Sequence, residues 1–360
     1  MPLKRAGTLR DTRWCDPSGA SRQLPFQGSL GVAERDEPVS VRRKVDYMMS
    51  PNEIYNTYDY QGKLKKPEKL YHYTSLDVLQ TILEKKQLRF TNRAYLNDKS
   101  EGHYVLSLCE EKIDDLWPME EGKETFKKAL ESAQKELKEA AEKPVYEKNT
   151  RNFQIYQVSF SYERDSLIMW NYYAAGGGCS IQFSKEYMEN LKNELNGSGL
   201  TALFGYVIYD VEKQVEILKG IFEAFLQVYS DNTSSSLKYA LWESCLIHSI
   251  LKIGALFKHP GFRDERECRM VFDVYQEGKT KEFPALIPPK GQEPYKSKIR
   301  ISNGVLVPYV DFDFDIKYLQ SITVSPTSNF EKVKQGLKIV LCEQGITDLP
   351  INYSEIPLRF

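Results

Sequence analysis

Apolar positions along this chain follow two periods, and the switches between them mark its elements. Lys69 to Thr74 is a run of strand-type residues. Behind it Leu76, Leu79, Ile82 and Leu83 recur at helical spacing, with Ser75 or Thr74 placed to cap, Asp77 in the first turn and Lys85 and Lys86 at the end. Leu88 to Thr91 predicts a short strand, and 92–100 a polar loop. Tyr104, Val105, Leu108, Ile113 and Leu116 predict a helix over 101–117. Residues 119–142 predict a charged helix whose charges form a solvated face. Phe153 to Ser161 is a β-run, followed by a short helix from Asp165 to Ala175, three glycines (Gly176 to Gly178) and a strand from Cys179 to Phe183. A third β-run covers Leu203 to Tyr209. Two helices, 212–229 and 237–257, follow, and the second is apolar on more than one face, as a buried helix would be. Cys268 to Tyr275, Val305 to Val310 and Ile322 to Val324 predict strands, and 328–344 a closing helix. Strands and helices are interspersed without regular βαβ alternation, which favours α+β over a doubly wound sheet.

Composition divides the chain. Its 360 residues carry 49 Lys+Arg against 50 Asp+Glu, a net charge of -1, which excludes a protein coated in positive charge for wrapping duplex nucleic acid. Residues 1–45 hold nine bases against five acids, with four prolines and no apolar period. They predict a disordered or loosely attached basic tail, ahead of a single domain over 68–360 with a helical insertion around 101–142 and a helical pair around 212–257. Apolar runs are far shorter than the roughly 20 residues of a membrane span, and no signal sequence is evident, so a cytoplasmic protein is expected. The six cysteines are scattered without a C-x-x-C pair, and the four histidines lie far apart. That spacing predicts neither a disulfide framework nor a metal site, and it reads Cys109, Cys245 and Cys268 as core thiols.

Three short clusters remain as candidate chemistry. Tyr71 to Ser75 places His72, Tyr73 and Thr74 at a strand–helix junction, where an imidazole and a hydroxyl can meet a ribose, or can simply cap and pack. On the short helix Trp170, Tyr172 and Tyr173 can stack on a ligand ring, or Leu167, Trp170 and Ala174 can form a core stripe. Glu265, Glu267 and Arg269 alternate into an apolar strand and so share a face. Two carboxylates there raise a pKa or require a cation, which Arg269 supplies; the alternative is a surface charge ladder. The glycine triplet lies between helix and strand, the reverse of a dinucleotide-binding turn, and predicts positive φ or close packing.

His72 to Ser75, Asn97-Asp98 with Glu101, Ser159 to Ser161, Met169-Trp170 with Tyr173-Ala174, the Glu265/Glu267/Arg269 run and Tyr353 to Arg359 occur in that order. Together they resemble the domain-of-unknown-function 2971 family, over roughly residues 68–360. More remotely, the order His72, Tyr173 (or Tyr172), Glu267 is similar to the H-Y-E triad of the ADP-ribosyltransferase fold. That resemblance implies a split mixed β-sheet flanked by helices, with NAD as substrate and no metal. It implies that His72, helped by Thr74, holds a ribose and that Tyr173 stacks on nicotinamide. Glu267 would stabilise the oxocarbenium ion, and Glu265 would help deprotonate the acceptor. Tyr73, Asn97, Trp170, Tyr172 and Arg269 complete the expected NAD-binding set. The implied function is an NAD-dependent ADP-ribosyltransferase, a toxin or phage-defence effector, whose acceptor is a nucleic acid or a protein. An NAD glycohydrolase in the same pocket and a non-catalytic nucleotide-sensing or interaction module are the alternatives.

Overall fold

The computed structural model describes residues 67–96, 101–140, 153–174, 176–197, 200, 202–230, 238–239, 242, 246–275, 297–302 and 304–357. The expected basic tail, Asn97, Cys15 and Cys245 lie outside them.

The first strand, β1 (Leu70–Ser75), runs directly into helix α1 (Leu76–Lys85). Ser75 accepts from the Val78 N–H, Asp77 and Lys85 complement the helix dipole, and Lys86 ends the helix in the left-handed region at φ 51°. Strand β2 (Gln87–Asn92) follows at once. Then come α2 (Glu101–Glu111), α3 (Ile113–Leu116), α4 (Lys123–Ala140), β3 (Phe153–Ser161), α5 (Leu167–Tyr173), β4 (Gly178–Phe183), α6 (Lys185–Gly197), β5 (Ala202–Tyr206), α7 (Val211–Ser230) and α8 (Ile247–Ile253). Two short 3-10 segments (254–256 and 260–265) lead into β6 (Glu267–Tyr275). The last elements are β7 (Lys298–Ser302), β8 (Val305–Asp313), β9 (Leu319–Val324), α9 (Phe330–Glu343) and β10 (Ile351–Tyr353).

These strands make one ten-stranded mixed sheet in an α+β fold. Its path is β10-β9-β4-β1-β3-β2-β8-β7, with β6 and β5 branching from β3. The β10–β9 pair is parallel and the other ladders are antiparallel. β3 is the fork. One edge pairs with β6 along its whole length, from Phe153↔Tyr275 to Ser161↔Glu267. Its other edge is shared: β2 takes Tyr156 and Gln157, and β1 takes Ser161 alone. Between those two contacts, 158–160 have no paired residue on that edge among the described strands.

Helices cover both faces. On one face α1, α6 and α9 contribute Leu79, Leu83, Met188, Leu191 and Leu337 to a cluster with Phe90, Phe160, Ile181, Met270 and Phe272. On the other, α2–α4, α7 and α8 pack Cys109, Trp117, Phe126, Phe222 and Ile250 against Ile155, Leu203 and Val271. Further along that second face, α5 sets Met169, Trp170 and Ala174 on Tyr71 and Tyr73. Burial of each large side chain contributes about 1.5–3 kcal/mol, so the sheet is held firmly from both sides. Between the two apolar clusters of the second face lies a polar strip, and the candidate site lies there.

Several expectations change. The apolar pattern gives no element over 184–200, where charged residues mask the stripe Tyr187, Met188, Leu191 and Leu195 of α6. Nor does it mark β7, short and mostly exposed, or β10, three residues long. The helix expected over 101–117 breaks at Lys112, and β5 stops at Tyr206 rather than Tyr209. Of the buried helix expected over 237–257, the part described as α8 encloses Ile247, His248, Ile250, Lys252 and Ile253, with Leu251 half-buried. Cys109 and Cys268 are buried core thiols, and Cys179 joins them. Gly176 and Gly177 have φ of 81° and 112°. A Cβ on Gly178 would lie 2.4 Å from the Thr74 carbonyl oxygen, so the triplet serves both positive φ and close packing. No helix among the described residues is long and apolar enough to cross a membrane.

Candidate functional site

The pleat assigns each residue to a face. Tyr71 pairs with Ser161, and Ser161 pairs with Glu267. Cross-strand partners share a face, so Tyr71, Tyr73, Ser159, Ser161, Glu267 and Arg269 stand on the face covered by α5. His72 pairs with Ile181 and points to the opposite face, edge-on to Phe160 with ring centroids 5.8 Å apart. The sequence order His72, Tyr173, Glu267 is therefore not one constellation on one face.

The fork in the sheet nevertheless links two of its members. The Tyr162 N–H donates to the Arg266 carbonyl on the β6 side, so the odd residues of β3 turn their backbone groups toward β1. There Ser159 lacks a strand partner, and its carbonyl accepts from His72 Nδ1 at 3.0 Å. The carbonyl can only accept, so that nitrogen carries the proton. Burial pushes the His72 pKa down, against the Ser159 bond, which keeps the ring neutral with Nε2 as an acceptor. On the other face the Ser159 hydroxyl adds a small push that lowers the Glu267 pKa. One serine thus holds the imidazole with its backbone and favours the charged carboxylate with its side chain.

Around Glu267 the charges are buried and matched. Arg269 Nε and Nη2 donate to its two oxygens at 2.7 and 2.8 Å, while Arg269 Nη1 donates to the Ala255 carbonyl at 2.7 Å. Lys258 Nζ donates to Glu265 Oε2 at 2.5 Å and to Glu267 Oε2 at 3.3 Å. The Glu267 N–H donates to the Tyr209 hydroxyl at 3.1 Å. Burial alone would raise the Glu267 pKa; Arg269, then Lys258, bring it down to about 2. For Glu265 burial prevails over Lys258, and its pKa is raised.

Two expectations about this run need correction. Glu265 lies in the 260–265 turn, not in the strand, because Arg266 takes φ 48° and resets the backbone before β6 begins. Nor is the run a surface charge ladder, since Glu265, Glu267 and Arg269 are all buried. Lys258, Tyr209 and the Ser159 hydroxyl were missed as site residues. Lys258 and Tyr209 come from separate segments and carry no motif, whereas Ser159 stood in a quoted run without a role.

The aromatic helix splits as well. Trp170 is 2 % exposed, packs edge-on to Tyr73 at 4.7 Å and donates to Asp165 Oδ1 at 2.6 Å. The Tyr73 hydroxyl donates to the Glu163 carbonyl at 2.7 Å and accepts from the Ser166 N–H at 3.0 Å. Expected as ligand contacts, Tyr73 and Trp170 are instead committed to holding the loop before α5. Asp165 ties the same loop to the C-terminal segment, accepting from Ser354 Oγ at 2.7 Å and the Glu355 N–H at 2.6 Å. Leu167, expected inside, is exposed, and Met169 takes its place. Thr74 is buried beside Cys179 on the His72 face. Tyr172 and Tyr173 are 68 % and 40 % exposed, and α5 lies beside the 260–265 turn that carries Glu265 and the exposed Phe262. Exposed aromatic rings and the buried carboxylate pair thus adjoin on one face.

No group of three or more His, Cys, Asp or Glu among the described residues could hold a metal ion. No curated protein and no solved structure matches the chain significantly. Residues 169–270, which run from the aromatic helix through the carboxylate pair, match the family described as protein of unknown function DUF2971.

Proposed function

We propose that this chain cleaves the nicotinamide–ribose bond of NAD and transfers ADP-ribose to a nucleic acid or protein acceptor, an activity that would suit a toxin or phage-defence effector. The observation that carries the proposal is Ser159, which joins His72 and Glu267 across the fork of the sheet although they leave opposite faces. In this reading the neutral His72 does not touch the sugar; it braces the Ser159 carbonyl from the far face as a positioning residue. Glu267, held ionised and immobile, faces the sugar as its C–N bond breaks and nicotinamide departs with the bonding pair. A fixed carboxylate aimed at developing positive charge lowers such a barrier without reorganising. Glu265, with its raised pKa, takes the acceptor's proton as the acceptor attacks the ribosyl carbon. Tyr173 or Tyr172 presents a ring to the leaving nicotinamide. With water as acceptor the same steps make a glycohydrolase.

The charge balance of the site supports a second reading. Lys258 and Arg269 together offset both carboxylates, and a non-catalytic nucleotide-sensing module needs no uncompensated charge. Incubating the protein and its Glu267→Gln variant with NAD separates the two. Nicotinamide release by wild type and a loss of about 10²–10³-fold in the variant are expected from enzymatic cleavage. No release from wild type, with DNA, RNA or protein acceptors supplied, rejects cleavage in favour of sensing. Label transferred from NAD to one acceptor distinguishes the transferase from the glycohydrolase.

A further inference from the structure

Lys258 is held unusually well for a lysine between two 3-10 segments. Its N–H donates to the Ile208 carbonyl at 3.2 Å, and its own carbonyl accepts from Gln214 Nε2 at 3.1 Å. Gln214 also donates to the Ile208 carbonyl at 2.6 Å, and the Ile208 N–H donates to the Leu256 carbonyl at 2.8 Å. Two chain segments and the start of α7 therefore fix its backbone. Its side chain is 5 % exposed, and its ammonium sits 4.7 Å from the centroid of the Phe262 ring. From there it reaches Glu265 on the turn and Glu267 on β6.

We propose that Lys258 is a positioning residue whose ammonium bridges the two carboxylates and sets how readily Glu265 exchanges a proton beside the permanently charged Glu267. Glu267 also has Arg269 in bidentate contact and Ser159, so it remains an anion with or without the lysine. No such second cation contacts Glu265 among the described ion pairs. The charged and titratable groups facing the pair are Lys258 before the turn, Arg269 on β6, and Tyr209 between β5 and α7. Of these, Lys258 is the one that touches both carboxylates. A lysine suits the position because its compact charge can divide between two acceptors, whereas a guanidinium prefers a single bidentate partner. This inference rests on the proposed site and names its acid–base control.

The test uses full-length protein labelled with carboxyl-¹³C glutamate, with the Glu265 signal assigned by its disappearance in Glu265→Gln. In Lys258→Met the Glu265 midpoint is expected to rise by about one pH unit or more, a tenfold change in proton affinity, while Lys258→Arg shifts it less. Glu267 should stay ionised in all three proteins. The acid limb of the nicotinamide-release profile should move with the Glu265 midpoint, with kcat falling and KM for NAD little changed. An unchanged Glu265 titration in folded Lys258→Met overturns the proposal. If wild type releases no nicotinamide, the cleavage reading fails, yet the titration still decides the role of Lys258. If Lys258→Met does not fold, the Lys258→Met/Glu265→Gln double variant should fold, because both ends of the pair are gone. Failure of the double variant as well overturns the proposal.

Discussion

The two faces of the β3–β6 ladder use the same strands for opposite ends. One face presents Val158, Phe160, Cys268, Met270 and Phe272, all in one apolar cluster under α1, α6 and α9. The other presents Gln157, Ser161, Glu267 and Arg269, polar yet buried, with Ser159 half-buried among them. An antiparallel sheet usually pairs a buried apolar face with a wet polar one. Here the polar face is dry, so each charge must find a partner in the protein. The apolar face tolerates substitution by volume, whereas the polar face tolerates it only in matched sets.

The contrast is broken most severely at its charged centre. Arg269→Met leaves Glu267 buried without its bidentate partner, and a loss of about 3–5 kcal/mol is expected in urea denaturation. Phe272→Ala on the apolar face should cost a similar amount, about 3–5 kcal/mol. The two differ in their pH dependence, which the arginine variant alone should change. That difference follows from Glu267. Its folded pKa of about 2 lies below the ordinary 4.5, so its stabilisation is complete above about 4.5 and lost as the pH falls toward 2. The integrated effect is about 3 kcal/mol, and Glu267→Gln should flatten that acid limb of the stability curve. Glu265 works with the opposite sign, since its raised pKa contributes most at low pH and offsets part of the slope.

Smaller effects sharpen the comparison. Tyr73→Phe removes the hydroxyl that holds both Glu163 and Ser166, and should cost about 1–2 kcal/mol in thermal unfolding. Tyr172→Ala touches only exposed surface and should change stability by less than about 0.5 kcal/mol. If cleavage is the function, the same variant raises KM for NAD, and unchanged kinetics would assign the stacking to Tyr173.

The faces differ in how far they can be read from sequence. The alternation of Phe153 to Ser161 and of Glu267 to Tyr275 is plain, and so is the α+β class. The cap at Ser75 and the glycine turn follow from residue type alone. That the polar rows are covered is not legible, because the cover comes from the 254–265 segment and α5, which no period places above the sheet. Lys258 is one of two lysines in an apolar stretch, six residues after Lys252, and only the tertiary fold carries it to the carboxylates. His72 shows the converse limit. Its motif is clear, but the side of the sheet it faces depends on a register that the Tyr71↔Ser161 bridge sets.

The loop ahead of α5 also has a history in time. Asp165 reaches its partners Ser354 and Glu355 across 189 and 190 residues of sequence. At about 5–20 residues per second, a ribosome needs roughly 10–40 s to make that stretch. Throughout that interval the nascent chain holds Asp165 without these two partners. The exposed tyrosines of α5 therefore take their final setting late, after the strands beneath them have been synthesised, and an interrupted chain would lack this finishing step.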